Sequence, residues 1–307
     1  MDMPSALPAS SVFISAPDGL KLHARCYGPR SASRTVVCLP GLARTAADFE
    51  TLAAALAAPG QGRRVIALDY RGRGLSDYDR NPANYNFHVE LADVQAVLTA
   101  LDALPAVFVG TSRGGILTML MAALRPTALT GAVLNDVGPV LEPKGLMRIK
   151  GYVGKLPEPR SFGEGAEILR RLFDAQFPRL TSEDWLQSAH RTFKEVNGRL
   201  VTTYDPALAK TMEGVDFEKP MPPLWKEFGA LAQVPLLVVR GEHSDLLTAE
   251  TVDVMAKRHA GMERLDVADQ GHAPLLAEPE VIASIAGFVE RCEARAPMER
   301  ARAASWR

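Results

Sequence analysis

Short apolar runs rich in β-branched residues alternate along this chain with stretches rich in Ala and Leu. This alternation predicts a mostly parallel sheet covered by helices, because parallel neighbours need a crossover between them. Asp18-Gly19 is a strong hairpin signal, so we expect the first two strands to be antiparallel. Eight strands are predicted, at 11–17, 20–28, 34–40, 63–70, 105–111, 129–137, 234–241 and 262–269. Helices are predicted at 46–58, 88–104, 113–124, 248–259 and 279–291.

The sequence between Val137 and Gln233 has a different texture, in which strand-like runs vanish and Pro and Gly become frequent. We predict that 137–233 is a helical cap inserted into an α/β core made of 1–136 and 234–307. This segment is called the insertion here.

The overall charge and the apolar runs exclude several classes of protein. The 307 residues carry 35 Lys and Arg against 36 Asp and Glu, a formal net charge of −1, which disfavours a nucleic-acid-binding protein. The apolar stretch 114–124 is too short to span a bilayer, and the first residues lack the basic start of a secretory signal. We therefore expect a cytoplasmic protein with a small-molecule substrate and no membrane span, while its oligomeric state stays open.

A candidate nucleophile lies in Gly110-Thr111-Ser112-Arg113-Gly114, which matches the pattern G-x-S-x-G. An apolar strand precedes this pattern and an uninterrupted helical run follows it, which is the strand–turn–helix setting of a nucleophile elbow. Gly110 and Gly114 leave room for the tight turn, and the following helix directs its N-terminal N–H groups towards the serine oxygen. Ser112 is the predicted nucleophile.

A serine needs a general base, and His272 has the best setting of the six histidines because it follows the last predicted strand. Asp245, just past the strand 234–241, is the predicted acid that orients the imidazole. Asp136, just after the strand 129–137, is the alternative acid. The ends of parallel strands are where open α/β sheets place their chemistry. His243 lies close to Asp245, but no third ligand is clustered with the two, so no metal and no cofactor are expected.

The oxyanion hole is predicted from two backbone N–H groups. Gly41 permits a tight turn after the third strand, so the N–H of Leu42 can face the serine, and the N–H of Arg113 is the second donor.

These motifs together resemble the α/β-hydrolase superfamily. Three further segments agree: Asp69 to Ser76 is similar to its D-x-R-G-x-G-x-S motif, GEHSDLL to its acid loop and DQGHAP to its histidine loop. Pro40 departs from the His-Gly common at the oxyanion turn. The resemblance implies an α/β-hydrolase fold with a mostly parallel eight-stranded sheet, helices on both faces and the inserted cap.

The resemblance also implies a serine hydrolase that cleaves carboxylic esters or lactones through an acyl-enzyme. A serine nucleophile argues against the dehalogenase and epoxide-hydrolase branches. Two alternatives stay open: a carbon–carbon bond hydrolase with the same triad, and a non-catalytic ligand receptor. Candidate substrate-binding residues are Arg44, beside the oxyanion turn, with Phe162 and Trp185 in the insertion.

Overall fold

The structure is a computed structural model that describes residues 9–216, 219 and 221–304. Its ten strands within these ranges are β1 (Ser10–Ser15), β2 (Lys21–Tyr27), β3 (Arg34–Leu39), β4 (Arg63–Asp69), β5 (Ala106–Thr111), β6 (Leu129–Asn135), β7 (Phe193–Val196), β8 (Arg199–Thr202), β9 (Leu236–Gly241) and β10 (Glu263–Val267). The α-helices are α1 (Glu50–Leu56), α2 (Phe87–Ala100), α3 (Arg113–Leu124), α4 (Pro143–Tyr152), α5 (Phe162–Phe173), α6 (Ser182–Thr192), α7 (Trp225–Gly229), α8 (Ala249–Arg258) and α9 (Pro279–Ala304).

Eight strands form the main sheet in the order β1-β2-β4-β3-β5-β6-β9-β10. β2 pairs antiparallel with β1 and with β4, and the remaining pairs are parallel. The predicted eight-stranded, mostly parallel sheet and its opening hairpin are therefore confirmed. The carboxyl ends of β3, β5, β6 and β9 meet at one edge of the sheet, where the loops that follow them come together.

Helices cover both faces of this sheet, as predicted. One face packs against α2, α3 and α8, with Leu117 and Met255 fully buried between helix and sheet. The other face packs against α1 and α9, where Leu52 and Phe288 are buried. Each central strand is thus covered on both sides, which accounts for its nearly continuous apolar sequence.

The insertion differs in two ways from the purely helical segment expected. β7 and β8 form an antiparallel hairpin there, around Asn197 and Gly198, both at positive φ. Asn-Gly is the preferred pair for such a turn. At the other end, α7 packs with the sheet rather than with α4–α6, because Phe228 joins the buried cluster of the α3 face. No helix of the described residues is both long enough and apolar enough to cross a membrane.

Candidate active site

Ser112 lies at the sharp junction between β5 and α3, as the elbow motif predicts. Its backbone has φ 51° and ψ −113°, a conformation that L-residues rarely adopt. A Cβ on Gly110 would lie 2.5 Å from the backbone of Gly114, and one on Gly114 would collide with the Leu39 carbonyl. Both glycines are therefore required for helix and strand to approach closely, and the turn leaves Ser112 partly exposed.

Ser112 hydrogen-bonds to His272, which contacts Asp136 with its other ring nitrogen. Ser112 Oγ is 2.9 Å from His272 Nε2, and His272 Nδ1 is 2.8 Å from Asp136 Oδ2. The Asp136 side chain is fully buried and that of His272 is nearly so. A carboxylate only accepts hydrogen bonds, so it places the ring proton on Nδ1 and leaves Nε2 free to accept from Ser112.

The Asp136 carboxylate is held by two further donors from the loop after β9. Oδ1 accepts the N–H of Gly241 at 2.8 Å, and Oδ2 accepts the hydroxyl of Ser244 at 2.6 Å. Ser244 in turn accepts the N–H of Leu247 at 3.1 Å. The loop that was expected to contribute the acid therefore contributes the donors that fix it.

The expectation that Asp245 orients His272 is not met by this geometry, which gives the position to the alternative, Asp136. Arg148 of α4 binds the Asp245 carboxylate with two parallel hydrogen bonds, from Nε at 2.6 Å and from Nη2 at 2.8 Å. Burial opposes ionisation of Asp245, but these bonds outweigh it and hold the pKa of Asp245 below its usual range.

Both acids emerge at the same edge of the sheet, because each follows one of two adjacent parallel strands, β6 and β9. Asp136 follows β6, which neighbours β5, the strand that leads to Ser112, whereas Asp245 follows β9, one strand further away. Asp245 is bound instead by Arg148, which lies 97 residues earlier in the sequence, so no local sequence signal indicates this pair.

The turn that carries Leu42 passes directly beside the serine. A Cβ on Gly41 would be 3.8 Å from Ser112 Cβ. No oxygen of the described residues accepts the N–H of Leu42, and the N–H of Arg113, in the first turn of α3, has no acceptor within the helix. Both predicted oxyanion donors are thus next to Ser112 in the fold.

Two residues of the D-x-R-G-x-G-x-S segment hold this turn in place through hydrogen bonds. Tyr70 donates its hydroxyl to the Pro40 carbonyl at 3.2 Å, and Arg73 Nε donates to the Leu42 carbonyl at 2.9 Å. Arg73 is itself paired with Glu90, at 2.8 Å, and both side chains are fully buried. The support that a histidine commonly gives at this turn therefore comes here from a tyrosine and an arginine, which the motif alone did not reveal.

Both arginines near Ser112 make contacts with other residues of the chain. Arg113 pairs with the buried Glu90 at 2.5 Å and lies over the ring of Phe87, 4.0 Å from its centroid. Arg44 makes two hydrogen bonds to Asp48, at 2.6 and 2.5 Å, and its Nη1 donates to Thr192 of the insertion at 3.3 Å. Arg44 therefore connects the oxyanion turn to the insertion.

The two aromatic candidates lie in the core of the insertion. Trp185 is 5% exposed and packs in a cluster with Leu169 and Phe193. Phe162 packs against the same cluster and stacks on His190, with ring centroids 3.9 Å apart. The structure thus gives both aromatic rings packing partners within the insertion.

His243 does have acidic neighbours, which the sequence argument did not foresee. Glu242, His243 and Asp269 come close enough for their ligand atoms to lie within 4.8 Å of one another. Asp269 is already paired with Arg179 at 2.7 Å, and Glu242 accepts the N–H of Asp269 at 3.0 Å. These contacts explain the cluster as a surface ion-pair and loop contact.

A known protein family matches most of this chain. The model of the alpha/beta hydrolase family matches residues 36–285. The chain belongs to the alpha/beta hydrolase family. A curated relative, the 3-hydroxybutyrate-oligomer hydrolase of Cupriavidus necator, is 35% identical over 277 residues, which cover 85% of this chain and 91% of the relative.

Solved structures of alpha/beta hydrolases match over nearly the whole chain. An alpha/beta hydrolase from Novosphingobium aromaticivorans is 40% identical, with a TM-score of 0.84 over 92% of this chain and 98% of its own. The structure of E-2-(acetamidomethylene)succinate hydrolase is 22% identical, with a TM-score of 0.77 over 92% of this chain and 100% of its own. The latter likeness concerns the fold alone. The chain is thus a member of a hydrolase family along almost its full described length.

Proposed function

We propose that this protein is a serine hydrolase that cleaves carboxylic esters, with Ser112 as nucleophile, His272 as general base and Asp136 as the acid that orients the base. The observation that carries the proposal is the continuous hydrogen-bonded series from Ser112 Oγ through the imidazole to the buried Asp136 carboxylate. A serine hydroxyl is unreactive without such a base, and a buried carboxylate stabilises the imidazolium that forms.

The first half of the reaction forms the acyl-enzyme. Ser112 Oγ attacks the ester carbonyl while His272 Nε2 takes the hydroxyl proton, and the Leu42 and Arg113 N–H groups stabilise the oxyanion. The imidazolium then gives this proton to the leaving alkoxide, so that the carbon–oxygen bond breaks and an alcohol departs.

The second half regenerates the enzyme. His272 Nε2 takes a proton from water, which attacks the acyl carbonyl and releases a carboxylic acid as Ser112 recovers its proton. Apart from this water molecule, the proposed mechanism uses side chains and backbone groups of this chain.

The proposed substrate class is short esters of hydroxy acids. The relative from Cupriavidus necator is by name a hydrolase of 3-hydroxybutyrate oligomers, and the match to it covers nine-tenths of its length. In such an oligomer, each bond between units joins the carboxyl group of one hydroxy acid to the hydroxyl group of the next. The proposed chemistry cleaves this ester and leaves two hydroxy acids.

The linear dimer of 3-hydroxybutyrate tests both parts of the proposal. We expect the wild type to release two 3-hydroxybutyrate molecules per dimer, measured by liquid chromatography, and Ser112→Ala to release none above the uncatalysed rate. A wild type that binds the dimer without releasing product would instead act as a receptor, and full activity in Ser112→Ala would refute the nucleophile assignment.

A further inference from the structure

The segment that carries His272 is held by individual contacts, because residues 268–278 form neither a helix nor a strand. Two residues after His272, the Pro274 carbonyl accepts a hydrogen bond from Asn135 Nδ2 at 2.9 Å. Asn135 is the last residue of β6 and is fully buried. A side chain of the sheet thus fixes this irregular segment at a point close to the proposed base.

The same residue also contacts the turn of the nucleophile. Asn135 lies opposite Thr111 where β6 pairs with β5, and its Nδ2 donates to Thr111 Oγ1 at 3.0 Å. Its backbone carbonyl accepts the N–H of Ser112 at 2.9 Å. The residue that follows it in the sequence is Asp136. Asn135 is therefore joined, through hydrogen bonds or through the peptide chain, to the segments of all three proposed triad members.

The hydrogen bonds of the Asn135 amide fix its orientation. A backbone carbonyl only accepts, so the NH2 group must face Pro274, and the side-chain carbonyl Oδ1 is the atom left over. Oδ1 is buried and has no hydrogen-bond partner in residues 9–216, 219 and 221–304. An unpaired buried acceptor destabilises the fold, so the NH2 group is retained here together with an unfavourable oxygen. Such a departure from the usual pairing is typical of a functional position.

We propose that Asn135 is a positioning residue that keeps His272 within hydrogen-bond distance of Ser112. Its bond to Pro274 limits how far the segment of the base can move, and its bond to Thr111 directs the amide towards that segment. The Asn135 side chain makes these two hydrogen bonds and none to the reacting atoms, so it acts through the base. This inference rests on the proposed function, because it assigns Asn135 a role only through the proposed base.

Asn135→Leu tests this role, because leucine has a similar shape and cannot form the two side-chain hydrogen bonds. The backbone bond from Ser112 remains in this variant. Losing one neutral hydrogen bond corresponds to about 5-fold in an equilibrium, and losing two corresponds to about 25-fold. The fraction of molecules with His272 in place should fall by up to this factor. We therefore expect a fluorophosphonate to label Ser112 about 5- to 25-fold more slowly in Asn135→Leu than in the wild type.

Labelling gives two quantities that separate positioning from folding. The rate constant depends on the placement of the base, whereas the final fraction of labelled chains depends on how much protein is folded. The matched control is Thr118→Val in α3, which removes a buried hydrogen bond of 2.8 Å to the Gly114 carbonyl and leaves the segment of the base untouched. Its rate constant should change by less than about 2-fold. A smaller labelled fraction at the wild-type rate constant in Asn135→Leu would overturn the inference.

A double-mutant cycle with His272→Ala tests whether Asn135 acts through the base. Two substitutions that act on one function are not additive, because the second has nothing left to remove. In a His272→Ala chain, whose labelling is already slow, Asn135→Leu should therefore change the rate constant by less than about 2-fold. A further loss as large as the one in the wild type would mean that Asn135 acts independently of His272, which contradicts the proposed role.

Thr111→Val is the second variant, and it decides the question if Asn135→Leu does not fold. Valine keeps the β-branched shape and removes the oxygen that accepts one of the two amide hydrogen bonds, so the rate constant should fall by about 2- to 5-fold. An unchanged rate constant there would refute the inference. A wild type whose Ser112 is not labelled contradicts the ester-hydrolase proposal, whereas equal labelling rates in the wild type and Asn135→Leu contradict the positioning role alone.

Discussion

Replacing each of the two candidate acids by its amide distinguishes their roles. In Asp136→Asn, one carboxylate oxygen becomes an NH2 group. The N–H of Gly241 is part of the backbone and cannot turn away, so the remaining oxygen must stay opposite it. The NH2 group then faces His272 Nδ1, while the Ser244 hydroxyl can rotate to accept.

This arrangement forces His272 into the wrong tautomer. Nδ1 must accept from the amide, so the ring proton moves to Nε2, which faces Ser112 and can no longer take its proton. The corresponding substitution in a serine protease triad lowers kcat by about 10⁴-fold, and we expect a loss of about that size here, or about 5 kcal/mol of activation free energy.

Asp245→Asn should lower kcat/KM for p-nitrophenyl butyrate by less than about tenfold, because Asp245 is hydrogen-bonded to Arg148 and not to His272, so the substitution removes no hydrogen bond from the base. Initial rates at constant pH are the assay, and thermal unfolding checks that each variant is folded. A larger loss in Asp245→Asn than in Asp136→Asn would refute the assignment of the acid.

Two further predictions concern stability. Gly114→Ala should lower the free energy of unfolding by about 3 kcal/mol or more because the new methyl group meets the Leu39 carbonyl, whereas Gly151→Ala, in an open helical position, should raise it by about 0.5–1 kcal/mol. Urea denaturation measures both, and an equal effect of the two would contradict the packing at the elbow. The pKa of Asp245 is lower in the folded state than in the unfolded state. The pair with Arg148 therefore stabilises the protein fully above the unfolded-state pKa of about 3.9, and this stabilisation is lost as the pH falls through the lower folded-state pKa. The wild type should therefore lose more stability than Asp245→Asn between about pH 5 and pH 2, and parallel curves would refute this linkage.

The sheet and the elbow could be predicted because their signals are local. Each strand is a short apolar run with its own turn signals, and the spacing of Gly110, Ser112 and Gly114 reflects a steric requirement within one turn. The hairpin of the insertion also had a local signal, Asn197-Gly198, which the surrounding polar sequence obscured.

The choice of acid could not be predicted in the same way. Asp136 and Asp245 both follow strands, and only the long-range contacts of Arg148 and Ser244 distinguish them. The aromatic residues of the insertion present the same difficulty, because Trp185 looks identical in sequence whether it lines a pocket or fills the core of the insertion, as it does here.

Covalent labelling of Ser112 tests the central claim most directly. We expect a fluorophosphonate to add one phosphonyl group per chain, located by peptide mass spectrometry on Ser112, with no adduct in Ser112→Ala and much slower labelling in His272→Ala. An adduct on another serine, or labelling of Ser112→Ala at the wild-type rate, would contradict the assignment of Ser112 as the activated nucleophile.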